Sequence, residues 1–193
     1  MYIALGVIVT GLLVLVGIYN SMVSKRNGVK SGFANIDVEL KRRFDLIPNL
    51  VETAKRYMGH ESSTLTAVVS ARSDAMSTLA ALRQQPFDEK LLSKLGDAEQ
   101  RLSQSLFSFK AIAESYPQLK ADGTMLKLMG ELADTENRIA FSRQNYNDLV
   151  MSYNTSLEVF PNVFFAKVFN FSSAPSWVIE KAEEREAPKV SFG

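Results

Sequence analysis

The first 24 residues carry no charged side chain and constrain the fold more than any other stretch of this chain. They open with a run of 19 almost wholly apolar residues, MYIALGVIVTGLLVLVGIY. A helix needs about 20 such residues to cross the hydrocarbon core of a bilayer. Glycine is common in membrane helices, so the three glycines in the run do not argue against a span. The pattern predicts a transmembrane anchor over residues 1–24.

A cleaved signal peptide is the alternative interpretation of this run. It would need a basic segment before the apolar one and a small-residue cleavage site, whereas only the terminal amine precedes the run. The absence of cysteine argues against a lipoprotein anchor. Lys25, Arg26 and Lys30 follow the run, and the positive-inside rule therefore predicts that the N-terminus faces out and that the remaining chain is cytoplasmic.

Charge and rare residues limit the possible chemistry. The balance of 22 basic and 21 acidic residues, without a basic stripe, argues against nucleic acid as a partner. No cysteine is present for a thiolate metal site or thiol catalysis. The single histidine, His60, cannot supply the paired Glu-x-x-His motifs of a di-iron bundle. We expect no catalytic residue, metal or cofactor, and hence a protein that is not an enzyme.

Heptad spacing of apolar residues predicts four amphipathic helices after the anchor. The first begins near Phe33 and ends at Gly59, and Pro48 should kink it without ending it. The others are expected at about 61–84, 88–116 and 122–159. The last helix carries the most regular apolar line: Met125, Leu132, Ile139, Tyr146, Tyr153 and Phe160. Short connections and the absence of a strand pattern favour an all-α fold, an antiparallel up-and-down four-helix bundle behind a single transmembrane helix.

The predicted organisation has five parts. They are an anchor at 1–24, a helical juxtamembrane stalk at 25–32, the bundle at 33–160, a Phe-rich end segment at 161–175, and a charged, flexible tail at 176–193.

Three segments carry a family resemblance: IDVELKRRFDLIPNLVETAK (36–55), ELADTENRIAFSRQNYN (131–147) and SYNTSLEVFPNVFFAKVFNF (152–171). They resemble the LemA family over nearly the whole chain. The resemblance implies a single-pass, membrane-anchored helical bundle of the bacterial inner membrane, and it does not define a biochemical activity.

Arg43 lies on an apolar line of the first helix, where an unpaired charge would be costly. If the first and fourth helices are antiparallel, Arg43 lies level with residues 137–145. We therefore predict an ion pair with Glu136 on the fourth helix. The alternative is that Arg43 extends to solvent while its aliphatic stem packs.

Tyr146 and Tyr153 alternate with Asn145, Asn147 and Asn154 near the end of the fourth helix. This polar cluster could line a small ligand pocket. Alternatively, the tyrosines cap the core and the asparagines face water.

The Phe-rich sequence FPNVFFAKVFNF (160–171) is apolar on nearly every side of a helix and must be buried against something. Phe164, Phe165, Phe169 and Phe171 could cover the open end of the core, contact the bilayer, or form a subunit interface. The membrane contact requires that the fourth helix return to the membrane-proximal end. It fails if residues 36–84 form one continuous helix.

These features together favour a non-enzymatic, membrane-anchored scaffold. It would self-associate or bind membrane-protein partners at the membrane face, in contact with lipid, and organising the membrane is one form of such a role. The competing hypotheses are a ligand sensor and an accessory subunit of a membrane enzyme or protease.

Overall fold

The computed structural model describes residues 1–58 and 62–178, and every regular element within these ranges is a helix. This confirms the predicted all-α class. The helices are α1 (Tyr2–Lys55), α2 (Ser62–Gln84), α3 (Glu89–Ala113), α4 (Pro117–Lys120), α5 (Gly123–Glu158) and α6 (Asn162–Val168). The predicted helix end at Gly59 and the lone His60 lie outside the described residues.

Helix α1 is a single helix of 54 residues, about 80 Å long at 1.5 Å per residue. It joins the predicted anchor, the stalk and the first amphipathic helix without a break. Pro48 lies inside it, and the helix continues to Lys55 as expected. Among the described residues, α1 is the one helix that is long and apolar enough to cross a membrane, and its most apolar window is fully exposed.

Helix α5 packs along α1 and runs antiparallel to it. At one end, the Tyr57 hydroxyl donates to an Asp122 carboxylate oxygen at 3.0 Å. At the other end, Lys25 Nζ donates to the Ser152 hydroxyl at 3.1 Å. Helix α1 begins with the apolar run, so its first residues mark the membrane-proximal end of the molecule. Helix α5 runs back toward that end, which is the condition for contact between the Phe-rich segment and the membrane.

Helix α2 runs back alongside α1 and packs along α3. Arg83 Nε donates to Asp37 at 2.7 Å, and Arg72 Nε donates to the Phe44 carbonyl. The Asp88 side chain accepts a hydrogen bond from the Leu91 amide and begins α3, as an N-cap residue does. Helices α1 and α2 are therefore separate, and the condition that would have excluded membrane contact is not met.

Close packing of α1 on α5 depends on Gly32. A Cβ atom at this position would lie 2.8 Å from Leu149 Cδ1 and 3.4 Å from the Tyr146 Cα. The heptad line of α5 forms the facing surface, and its members from Met125 to Tyr153 are buried. Phe160, the last member predicted from the spacing, is exposed because α5 ends at Glu158.

After α6 the chain reverses at Asn170, whose φ of 54° is one that asparagine tolerates. Residues 171–178, which we call the strap, then run back along α5 without regular structure. Trp177 on the strap is buried. The tail predicted from residue 176 was therefore placed too early, and residues 179–193 lie outside the described part of the chain.

Candidate functional site

The strap is held to α5 by two asparagines that lie two helical turns apart. Asn147 Nδ2 donates to the Trp177 carbonyl at 3.0 Å, and its Oδ1 accepts from the Trp177 amide at 2.8 Å. Asn154 forms the same pair of bonds with the amide and carbonyl of Ala174, both at 2.9 Å. Each side-chain amide thus satisfies the backbone N–H and C=O of one strap residue, which form no hydrogen bond within a helix or sheet.

Two tyrosines add hydrogen bonds to the strap. The Tyr146 hydroxyl donates to the Pro175 carbonyl at 2.8 Å, and the Tyr153 hydroxyl donates to the Ser172 carbonyl at 2.9 Å. Burial raises the pKa of Tyr146 to about 12, which keeps its phenol protonated as a donor at neutral pH.

The predicted ligand pocket at these tyrosines is therefore occupied by the chain itself. The sequence identified Asn147 and Asn154 as members of a polar cluster, but their ligand is the backbone of the strap. Asn145 is exposed and lies outside this arrangement. Nothing in the helix periodicity indicated that an extended segment would return to this surface.

Arg43 is buried, with 4 % of its surface exposed, so it does not extend to solvent. The predicted pairing with Glu136 on the fourth long helix is wrong. Arg43 Nη1 donates to Glu99 Oε2 at 3.1 Å, and Nη2 donates to the Ser103 hydroxyl at 2.9 Å, both on α3. The contacts of Tyr57 with Asp122 and of Lys25 with Ser152 place Arg43 level with a part of α5 slightly before the expected residues 137–145. The carboxylate that pairs with the guanidinium comes from α3 instead.

Glu99 was not identified from the sequence because it follows Ala98 on the edge of the apolar seam of α3. Burial raises the pKa of its carboxyl, while the attraction and hydrogen bond of Arg43 oppose that shift and the nearby charge of Glu136 adds to it. One carboxylate oxygen, Oε1, is buried without a hydrogen-bond partner among the described residues. The ion pair is therefore incompletely satisfied.

A groove of about 990 Å³ lies between α3 and α5, with Arg43 among its lining residues. Its walls are largely apolar, and α4 contributes at one end through Leu119. Phe107 and Leu126 are 75 % and 59 % exposed, respectively. Other lining residues are Phe109, Met125, Met129, Leu132 and Glu136.

The groove and the strap lie along the same pair of helices. Trp177 packs against α3 at Gly96, where a Cβ atom would lie 3.2 Å from the indole Nε1. Gln100, one turn further along α3, lines the groove. The strap therefore separates α3 from α5 over their membrane-proximal parts, and the groove is the open remainder toward Asp122.

The Phe-rich segment is divided between core and surface. Phe165 and Phe171 pack against the core, and Ala166 is buried. Phe164 and Phe169 are exposed. The segment thus covers part of the core, as one of the three hypotheses states, but it leaves an apolar side uncovered.

The described ranges, 1–58 and 62–178, contain no cluster of three His, Cys, Asp or Glu side chains that could hold a metal ion. The expectation that the protein is not an enzyme remains a prediction.

Comparisons with known proteins give consistent results. The model of the LemA family matches residues 32–192. Magnetosome protein MamQ 2 of Paramagnetospirillum magneticum is 26 % identical over 171 residues, covering 81 % of this chain and 63 % of that protein. Protein LemA of Metamycoplasma hominis is 26 % identical over 147 residues, covering 76 % and 63 %. The chain thus spans less than two thirds of the length of these curated relatives.

Proposed function

The chain belongs to the LemA family, and from this we propose that it is a non-enzymatic, membrane-anchored scaffold whose helices form an antiparallel four-helix bundle that binds a protein partner. The apolar N-terminal helix and the relatives point to a membrane-associated protein. Partner binding, rather than chemistry, is the role that the described side chains are suited to.

The groove between α3 and α5 is the observation that carries this proposal. Large apolar side chains line it and are exposed, such as Phe107 on α3 and Leu126 on α5. Exposed apolar side chains gathered at one groove are typical of an interaction site. Met125 and Met129 line the same wall, and methionine adapts its shape to a bound apolar surface.

The dimensions of the groove favour a helical occupant. Its α5 wall extends from Met125 to Glu136, about 16 Å or three helical turns at 1.5 Å per residue. A partner helix of that length could place an apolar stripe against the methionines and leucines. The partner would add the helix contacts that α3 and α5 lack at this end.

The position of the groove also restricts the partner. Arg43 lies about 36 Å along α1 from Tyr19, the last residue of the apolar run, at 1.5 Å per residue. A partner that is buried entirely in the bilayer could not reach the groove. We therefore propose a membrane protein with a domain on the same side of the membrane as the bundle, or a second copy of this chain.

Site-specific photo-cross-linking tests the proposal. A photoreactive residue is placed at Leu126 in the groove and, as a matched control, at Phe141, which is 74 % exposed on the same helix and lies outside the groove. We expect a discrete adduct in cells from position 126 and none from position 141. Met129→Glu, which introduces a charge into the groove wall, should abolish the adduct.

The identity of the adduct decides between forms of the proposal. A second copy of this chain indicates self-association, whereas a single dedicated membrane enzyme or protease indicates an accessory subunit. An internal cross-link to residues 179–193, equal labelling from both positions, or no adduct from position 126 would contradict partner binding in the groove.

A further inference from the structure

Three apolar residues at the membrane-proximal end of the molecule share one side of the chain. Phe164 and Val168 are four residues apart on α6, which aligns their side chains along that helix. Phe160 lies in the turn before α6, and Phe160, Phe164 and Val168 are 81 %, 62 % and 72 % exposed. The rings of Phe160 and Phe164 are in edge-to-face contact, with centroids 6.0 Å apart. We call this surface the α6 face.

Residues that directly follow the α6 face contact the end of the apolar run of α1. The Phe169 ring is 5.0 Å from the Tyr19 ring, and the Phe171 ring is 5.8 Å from it. Tyr19 is the last residue of the run. Among the first 20 residues only Leu15 and Ile18 are half-buried, which places the contact with the rest of the molecule in the last turns of the run.

The opposite side of α6 is already packed. Phe165 and Ala166 face the core, so covering the core accounts for that side of the helix alone. The exposed phenylalanines need another apolar environment, and the adjacent membrane span requires hydrocarbon at the same level.

The nearby polar groups suit a lipid headgroup layer. Arg26 lies over the Phe171 ring at 5.1 Å, and Lys167 is exposed on α6. Aromatic side chains flanked by cationic groups are favoured at the boundary between acyl chains and headgroups. No acidic residue occurs between Val159 and Ser176, so the α6 face carries no charge that anionic lipid would repel.

We propose that the α6 face inserts into the interfacial layer of the bilayer and forms a second membrane attachment beside the α1 span. A single span leaves the rest of a protein free to tilt. Contact at α6 orients α5 relative to the α1 span at the membrane surface. It also holds the groove at a set distance from the bilayer.

Quenching of a fluorescent label by nitroxide-bearing lipids tests this attachment in the intact chain. The chain contains no cysteine, so a single introduced cysteine carries the label. Phe164→Cys is labelled with an environment-sensitive nitrobenzoxadiazole dye and reconstituted in vesicles of phosphatidylethanolamine and phosphatidylglycerol. The matched control is Phe141→Cys, a phenylalanine on α5 that is at least as exposed as Phe164 and lies well beyond the end of the span. Val168→Cys repeats the measurement with every phenylalanine intact.

We expect a blue-shifted emission at positions 164 and 168, and loss of most of it when lipids carrying a shallow nitroxide are included. Position 141 should emit as in water and should not respond. Water-like emission at 164 and 168 would overturn the proposal. Shielding that ignores nitroxide lipids and increases with protein concentration would also overturn it, and would assign the face to a second copy. None of these results depends on whether a partner binds the groove.

Discussion

At the scale of single residues, the ion pair between Arg43 and Glu99 places two opposite charges in a nearly dry site. Removing one partner leaves the other charge buried and alone, which typically costs about 3–5 kcal/mol. Glu99→Leu should therefore lower the free energy of unfolding by about that amount. The double variant Arg43→Met with Glu99→Leu should recover most of the loss, because it leaves no buried charge. Chemical denaturation in mild detergent measures both, and a double variant no more stable than the single one would contradict the argument.

The same pair predicts a pH dependence. Burial raises the pKa of Glu99 above its ordinary value of 4.5, so the folded state holds this proton more tightly than the unfolded state. The contribution of Glu99 to stability is then complete below pH 4.5 and is lost as the pH rises through the folded pKa. We expect the unfolding free energy of the wild type, minus that of Glu99→Gln, to fall above pH 4.5 by up to about 1.4 kcal/mol per pH unit. A rise would show that attraction to Arg43 outweighs burial.

The asparagines of α5 make a second prediction at this scale. Asn154→Ala removes both hydrogen bonds to Ala174, each worth about 1 kcal/mol. Opening of the strap should become easier by about 2 kcal/mol, which corresponds to roughly 30-fold faster amide hydrogen exchange at Ala174. Asn145→Ala is the control, since Asn145 is exposed. Equal exchange at Ala174 in both variants would mean that the hydrogen bonds of Asn154 do not hold the strap.

At the scale of elements, two glycines allow the effect of helix propensity on stability to be measured separately from the effect of helix packing. Alanine is favoured over glycine inside a helix by about 1 kcal/mol. Gly130→Ala on α5 should realise this gain because no atom lies within 4 Å of the added Cβ. Gly32→Ala should lose most or all of this gain, because its Cβ would lie 2.8 Å from Leu149 Cδ1 and the end of that side chain would have to move. Thermal unfolding followed by circular dichroism measures both. Equal stabilisation by both variants would show that α1 and α5 do not depend on close approach.

The helices themselves follow from the sequence because each signal is local. Apolar spacing gave the buried line of α5, Asp88 marked the start of α3, and the pattern continuing past Pro48 showed that α1 does not end there. Contacts between elements depend on register and on the order of neighbours, which spacing within one helix does not encode. Arg43 therefore received the wrong partner although its burial was anticipated.

At the scale of the whole molecule, the described residues divide the space between α3 and α5 into two parts. The strap, with Trp177 against Gly96, occupies one part of that space, and the groove remains in the other. A strap without periodicity gives no sequence signal of its own. The tyrosines and asparagines that hold it could be identified as an unusual polar cluster, but their binding partner could be found only from the folded chain.

The sidedness of the membrane is the remaining property that determines which partners can reach the groove. Lys25, Arg26 and Lys30 follow the apolar run, and no lysine or arginine precedes it. This bias predicts a cytoplasmic bundle. In bacterial spheroplasts, an impermeant maleimide should label Phe141→Cys only after permeabilisation. Phe141 is exposed in the folded protein and lies far from the span, so burial within the protein cannot mimic protection by the membrane. Immediate labelling of Phe141→Cys would reverse the orientation and place the groove, with any partner, outside the cytoplasm.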